Sequence, residues 1–159
     1  FTIYLPASDS KQEVVLDKES VQPSDPNRDI RILLMDDDEE VLDVTSQMIE
    51  VLGYSVVSVR EGQKAIDMYK ESIDRGERFD LVIMDLTIPG GLGGKEAIIE
   101  LKKIDPNIRA IVSSGYAEDE VMADYTSYGF KGIMAKPYVM ESLKKVIHDV
   151  LQVVPSKSV

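Results

Sequence analysis

Acidic, hydroxyl and lysine side chains stand at the ends of four short apolar segments of this 159-residue chain. Asp36 and Asp37 follow the first segment, Asp85 ends the third, Ser114 follows the fourth and Lys136 follows the fifth. Carboxylates that share one site repel each other, and a divalent cation relieves the repulsion. Mg²⁺ prefers hard oxygen ligands and usually binds one or two carboxylates, several waters and a phosphoryl group. The residue types therefore predict a magnesium site.

The same residues could transfer a phosphoryl group. A carboxylate such as Asp85 can attack phosphorus and form an aspartyl phosphate. A metal ion and the Lys136 ammonium would neutralise charge on the equatorial oxygens, and Ser114 could donate a hydrogen bond to one of them. Each residue also has a structural explanation: Asp85 as a helix cap or turn residue, Lys136 as a surface lysine, and Ser114 as a turn residue. Asp36 and Asp37 could be solvated acids at a helix N-terminus.

Alternating strands and amphipathic helices must bring these side chains together. Each apolar segment is followed by residues at helical spacing, although the helix around Val121, Met122 and Tyr125 is short and weak. Repeated βα units of this length predict a parallel sheet covered by helices on both faces, and five strands are too few for a closed barrel. The predicted strands are Ile30–Met35, Tyr54–Val59, the segment ending at Asp85, Ile108–Val112 and Lys131–Ala135.

Parallel strands expose their carboxyl ends on one edge of a sheet, where ligands of open α/β folds bind. We therefore expect the acids, the hydroxyl and the lysine to face one site. The glycine-rich loop from Pro89 to Lys95 fits neither a P-loop nor a G-x-G-x-x-G pattern, and we interpret it as a flexible loop beside the site. With His148 as the only histidine, a histidine-based metal site is excluded.

Composition narrows the range of partners. The net charge of −11 disfavours nucleic acid, since a phosphate backbone requires clustered Lys and Arg, and instead favours a metal cation or a basic protein surface. The sequence contains no transmembrane run and no signal peptide, so we expect no membrane contact by this chain. The absence of Cys is compatible with a reducing cytoplasm.

The chain divides into segments of different character. Residues 1–8 alternate like a strand, and we interpret them as a remnant of a larger protein. Residues 9–29 are polar and carry two prolines, as is typical of a linker. A single domain is predicted over residues 30–154, followed by a tail at residues 155–159.

The joint spacing of Asp36-Asp37, Asp85 with Pro89, Ser114 and Lys136-Pro137 resembles the receiver domain of two-component response regulators, from about Arg31 to Leu151. The resemblance implies a flavodoxin-like α/β fold, a doubly wound five-stranded parallel sheet of order 2-1-3-4-5 flanked by five helices. It also implies that the Lys136-Pro137 bond is cis.

Site roles also follow from this resemblance. Asp85 would accept phosphate from a phosphohistidine, and Lys136 and Ser114 would contact the phosphoryl group. Asp36, Asp37, Asp85 and the Thr87 carbonyl would hold Mg²⁺. The domain would then catalyse its own phosphorylation and dephosphorylation. The implied partners are a histidine-kinase dimerisation and phosphotransfer domain that carries the phosphohistidine, and a downstream histidine phosphotransfer protein.

A second, shorter resemblance concerns Phe1–Ser8, which is similar to the last strand of a histidine-kinase ATP-binding domain. It implies that the chain is the C-terminal receiver of a hybrid sensor histidine kinase. The expected location is the cytoplasm, with the parent protein either soluble or anchored in a membrane.

Three departures from the receiver pattern bear on function. The loop after Pro89 is one residue longer than usual, and Ser114 stands where Thr is common but keeps the hydroxyl. Ile133 occupies a position that is usually aromatic and that couples phosphorylation to the output face. Two other functions remain open: an aspartyl-phosphate phosphohydrolase, against which Thr87 in the place of a second Asp argues, and a receiver-like module that binds partners without being phosphorylated.

Overall fold

The structure is a computed structural model that describes residues 29–116 and 118–152. The predictions for the strand remnant at residues 1–8, for all but the last residue of the linker and for the tail lie outside this part of the chain. Within it, no helix is long and apolar enough to span a membrane.

Strands and helices alternate along the described chain, as the apolar pattern predicts. The strands are β1 (Arg31–Met35), β2 (Ser55–Val59), β3 (Leu81–Asp85), β4 (Ala110–Ser114) and β5 (Gly132–Ala135). The helices are α1 (Glu39–Val51), α2 (Gly62–Asp74), α3 (Gly94–Ile104), α4 (Glu120–Ala123), α5 (Tyr125–Tyr128) and α6 (Met140–Gln152).

The five strands form one parallel sheet of order β2-β1-β3-β4-β5, which confirms the predicted fold. The central strand β3 pairs with β1 and β4, and all five of its residues are buried. Burial on both faces explains the run of four apolar residues that precedes Asp85. Because the order reverses between β1 and β3, the carboxyl ends of these two strands lie at the topological switch point where ligands of such sheets bind.

Helices cover both faces of the sheet and form two apolar layers. On one face α2, α3 and α4 contribute buried residues such as Ile66, Leu101 and Val121. On the other face α1 and α6 contribute Leu42 and Ile147 among others. The strand residues alternate between the two layers, so the side chain of each strand-end residue has a defined face.

One helix differs from the sequence prediction. The short helix expected around Val121 and Tyr125 consists of two four-residue helices, α4 and α5. Asp124 separates them because its backbone (φ −133°, ψ 46°) is not helical, and Gly129 ends α5 at φ 100°, in the left-handed region that favours glycine. The split leaves the layer arrangement unchanged.

Candidate functional site

The carboxyl edge of the sheet carries the predicted site residues. Asp36 and Asp37 directly follow β1, Asp85 is the last residue of β3, Ser114 is the last residue of β4 and Lys136 directly follows β5. Since β1, β3, β4 and β5 are successive neighbours in the sheet, all of these positions lie along one continuous stretch of this edge.

Three carboxylates converge there. Asp36, Asp37 and Asp85 each offer an oxygen, and these oxygens lie within 4.8 Å of one another. Asp36 is 1% exposed and Asp85 is 8% exposed, so two of the three acids are largely removed from water. Isolated buried carboxylates are unfavourable unless they are paired with a cation or a metal. The cluster therefore fits a cation site better than a set of solvated acids.

The acids that continue the sequence have a different role. Asp38 caps α1, because its side chain accepts hydrogen bonds from the backbone N–H groups of Glu40 and Val41. The backbone N–H of Asp38 in turn donates to Asp36 Oδ1 at 3.0 Å. Asp38 is therefore an acid at a helix N-terminus, whereas Asp36 is buried in the site.

Lys136 supplies the positive charge of the site. Its Nζ lies 2.5 Å from Asp36 Oδ2 and 3.2 Å from Asp85 Oδ2. The backbone N–H of Lys136 donates to the Ser114 carbonyl at 3.0 Å, which ties the start of the following loop to β4. The Lys136-Pro137 peptide bond is cis, as predicted. Lys136 is thus a partner of both buried acids.

The pKa shifts reflect this arrangement. Burial raises the pKa of Asp85, the Lys136 charge opposes the rise, and the charges of Asp36 and Asp37 add to it. Burial by itself would lower the pKa of Lys136, but the hydrogen bond to Asp36 and the charges of Asp85 and Asp36 outweigh it and raise the pKa. The ammonium is therefore held charged against the acids.

Ser114 and Thr87 lie at the chain positions that the sequence predicts, and the hydrogen bonds of the Ser114 hydroxyl are local. The Ser114 hydroxyl accepts a hydrogen bond from the Tyr116 backbone N–H at 3.0 Å. Thr87 lies two residues beyond Asp85, in the loop between β3 and α3, and is exposed. The metal-binding role of its carbonyl stays a prediction.

Tyr138 and Arg60 make further contacts at this edge, and the sequence singles out neither residue. The Tyr138 hydroxyl forms a hydrogen bond with Ser113 Oγ, and Ser113 is the residue of β4 that pairs with Asp85. Arg60 donates to the Asp37 carbonyl at 3.2 Å and lies 3.6 Å from Glu39. The only sequence signal for Tyr138 is its place two residues after Lys136.

The glycine-rich loop packs closely on the end of β3. A Cβ on Gly93 would lie 2.4 Å from the Leu86 carbonyl oxygen, and one on Gly94 would lie 2.7 Å from the Asp85 carbonyl oxygen. Gly94 also donates a backbone hydrogen bond to Leu86 at 3.2 Å. These glycines are needed because the start of α3 approaches the strand that carries Asp85.

An apolar groove opens beside the acids. Val41 and Val44 of α1 line it together with Pro137 and Tyr138 of the loop after β5, and Lys136 lines both the groove and the site. The groove has a volume of about 420 Å³, and Val44 is 53% exposed. Ile133, the second residue of β5, is 37% exposed.

Comparisons with known proteins agree with this geometry. A family model described as the response regulator receiver domain matches residues 32–148. Chemotaxis protein CheY of Thermotoga maritima is 33% identical over 121 residues, which cover 73% of this chain and 96% of that protein. Sensor kinase CckA of Brucella abortus is 25% identical over 158 residues, which cover 96% of this chain and 16% of that protein.

A solved structure has the same fold. The receiver domain of sensor histidine kinase PA1611 from Pseudomonas aeruginosa, solved with a magnesium ion coordinated in its active-site cleft, matches with a TM-score of 0.68 at 23% identity. The match covers 78% of this chain and 98% of that chain.

Proposed function

The chain belongs to the response regulator receiver family of two-component systems, and from this premise we propose that Asp85 accepts a phosphoryl group from a phosphohistidine with the help of Mg²⁺. The observation that carries the proposal is the convergence of Asp36, Asp37, Asp85 and Lys136 on one edge of the sheet. This set combines a nucleophile, an acidic cation site and a fixed positive charge.

The acid cluster fits a magnesium ion. Three carboxylate oxygens within 4.8 Å of one another form a hard, all-oxygen donor set, and Lys136 alone does not neutralise their three charges. We assign Asp36, Asp37 and Asp85 as the carboxylate ligands, and the Thr87 carbonyl as a further ligand. When bound, Mg²⁺ would neutralise charge on the phosphoryl oxygens and orient them.

The transfer step uses the chain's own residues. An oxygen of Asp85 forms a bond to phosphorus while the phosphorus–nitrogen bond of phosphohistidine breaks, and the bonding electron pair stays on the imidazole nitrogen. The imidazole leaves neutral when its other nitrogen carries the proton. Lys136, held 3.2 Å from Asp85, stabilises the charge on the transferred group, and Ser114 donates a hydrogen bond to it.

The groove beside Lys136 is the proposed docking place for the phosphodonor. A domain that delivers a phosphohistidine must cover this edge of the sheet, and the groove shares Lys136 with the site. Its apolar walls, formed by Val44 of α1 and Pro137 among others, fit the apolar face of a donor helix. The donor proposed here is the dimerisation and phosphotransfer domain of a histidine kinase, with a histidine phosphotransfer protein as a downstream partner.

We also propose that the parent protein is a hybrid sensor histidine kinase that works in the cytoplasm. The similarity of Phe1–Ser8 to the last strand of a kinase ATP-binding domain supports this context. The alignment with sensor kinase CckA supports it as well, because it extends well beyond the receiver domain to 96% of this chain.

Acetyl phosphate tests the phosphoacceptor role without the partner. With MgCl₂ and acetyl phosphate, intact-mass measurement should show one added phosphoryl group that hydroxylamine removes, as expected for an acyl phosphate. Asp85→Asn should abolish the adduct, whereas Asp149→Asn, at an exposed acid of α6, should leave it unchanged. Absence of an adduct on the native chain would refute the proposal, and steady turnover of phosphate esters would favour a phosphohydrolase instead.

A further inference from the structure

Tyr138 connects the loop after β5 to the strand beside the nucleophile. Its hydroxyl forms a hydrogen bond with Ser113 Oγ, and Ser113 is fully buried. In the sheet, Ser113 lies directly opposite Asp85. The phenol therefore reaches from the lysine loop to the position next to the acid that we propose is phosphorylated.

This hydrogen bond is one of two that tie residues 136–138 to β4. The backbone N–H of Lys136 donates to the Ser114 carbonyl at 3.0 Å, and two residues later Tyr138 is tied to Ser113. Both anchors are the last two residues of β4. The segment from Lys136 to Tyr138 is therefore hydrogen-bonded to β4 at both of its ends. The long side chain of Lys136 still has many rotamers of its own.

The phenol contributes a neutral hydrogen bond. Burial is the main reason that the pKa of Tyr138 is raised to about 12; the charges of Asp36 and Asp85 add to the rise, while the Ser113 hydrogen bond and the Lys136 charge oppose it. At neutral pH the phenol is thus protonated. Removing the Tyr138 hydroxyl would leave the net charge of the acid cluster unchanged. An effect of its removal on phosphorylation would therefore reflect the position of neighbouring groups and not a change of charge.

We propose that Tyr138 is a positioning residue that, through its hydrogen bond to Ser113, holds the Lys136 ammonium at the distance from Asp85 that phosphoryl transfer requires. The proposal rests on the phosphoacceptor function assigned above. A lysine that is free to swing away from Asp85 stabilises the transferred phosphoryl group in only a fraction of encounters, because catalytic stabilisation depends on charges that are fixed before the reaction.

The test compares Tyr138→Phe with a matched control. Tyr69→Phe likewise removes a tyrosine hydroxyl from a hydrogen bond, here 2.9 Å to Asp105, which follows the end of α3 that lies away from the site. With acetyl phosphate at saturating MgCl₂, Tyr138→Phe should be phosphorylated about fivefold more slowly, the change expected for one lost hydrogen bond. Tyr69→Phe loses a hydrogen bond to a carboxylate, so it should be destabilised at least as much as Tyr138→Phe and still be phosphorylated at the native rate.

The dependence on Mg²⁺ separates positioning from general loosening of the site. If Tyr138 acts through Lys136, the Mg²⁺ concentration at half-maximal rate stays the same or falls, because the acids that bind the ion are intact. Ser113→Ala and the double variant should show the same loss as Tyr138→Phe, since all three remove one hydrogen bond.

Different results would refute different claims. If the native chain takes no phosphoryl group, the phosphoacceptor function fails and the positioning role with it. If the native chain is phosphorylated but Tyr138→Phe matches its rate, only the positioning role is refuted. A slower Tyr138→Phe whose half-maximal Mg²⁺ concentration rises in parallel would mean that the hydrogen bond keeps the acid site in order and does not act through Lys136. A rate loss matched by Tyr69→Phe would assign the hydrogen bond to stability alone, and either result refutes the positioning role.

Discussion

Replacing Lys136 with Met should destabilise the domain when Mg²⁺ is absent and, if the acids bind Mg²⁺ as proposed, should increase the stabilisation measured when MgCl₂ is added. Lys136 is the cation that contacts both Asp36 and Asp85, and Met keeps much of its length without the charge. In the variant the acids keep their mutual repulsion and lose their partner. A bound Mg²⁺ would then relieve a larger repulsion than it does in the native protein.

The size of the effect follows from the distances. At an effective dielectric constant of about 20, charges 2.5 Å and 3.2 Å apart attract by about 5 to 7 kcal/mol for each contact. Carboxylates within 4.8 Å of each other repel by at least about 3 kcal/mol for each pair on the same scale. Proton uptake limits the loss, because protonating an ordinary carboxyl group at neutral pH costs about 4 kcal/mol. We therefore expect a net loss of about 2 to 4 kcal/mol.

Urea unfolding followed by far-UV circular dichroism measures this loss, because urea leaves the ionic strength unchanged. Each variant is unfolded at neutral pH and low salt, once with EDTA and once with MgCl₂. The matched control is Lys145→Met, which removes an exposed lysine paired with Asp149 and should change stability by at most about 0.5 kcal/mol.

Two results would refute this reasoning. One is a Lys136→Met variant as stable as the native protein in EDTA, which would mean that the lysine does not offset the repulsion among the acids. The other is a smaller gain from MgCl₂ in the variant than in the native protein, which would mean that the lysine helps to hold the ion.

Two further predictions concern packing and pH. Gly94→Ala should lower the melting temperature by an amount equivalent to about 1 to 3 kcal/mol, despite the higher helix propensity of Ala, because its Cβ would lie 2.7 Å from the Asp85 carbonyl oxygen. Gly115→Ala is the control: a Cβ added there would meet no atom within 4 Å, so this variant should have the melting temperature of the native protein. Burial and the hydrogen bond to Asp105 raise the pKa of Tyr69 above 10.0, so its contribution to stability is complete below pH 10 and is lost as pH rises through the raised value. Tyr69→Phe should therefore flatten the fall of the urea midpoint above pH 10, and an unchanged slope would contradict this.

The sequence predicts the parallel sheet and the closeness of the acids to Lys136, because both depend on the order of strands and helices along the chain. Parallel strands place their carboxyl ends on one edge, so a charged residue at the end of a strand must face its counterparts. The division of the fourth helix at Asp124 could not be predicted in this way, because a single non-helical residue between two short apolar turns leaves the hydrophobic spacing intact.

Contacts that depend on how closely two elements pack could not be predicted from the sequence either. The glycine-rich loop gives no sign that Gly94 must clear the Asp85 carbonyl, since that requirement arises only where α3 meets β3. The bond between Tyr138 and Ser113 joins residues 25 positions apart, and neither residue type is unusual in its place. The sequence therefore predicts which groups take part, while their mutual positions come from the packing of elements.

The Ser114 hydroxyl would have to change little to bind the phosphoryl group that we propose Asp85 accepts. Its oxygen accepts a hydrogen bond from the Tyr116 N–H at 3.0 Å, and its hydrogen is directed to the Tyr116 carbonyl over a long 3.4 Å. A hydroxyl has one donor and two acceptor positions, so the short bond can persist while the hydrogen turns from the carbonyl to a phosphoryl oxygen. Ile133, 37% exposed on β5, offers neither a ring nor a polar atom that would have to follow this turn. The phosphorylation that we propose at Asp85 is therefore compatible with Ser114 acting through its hydrogen alone.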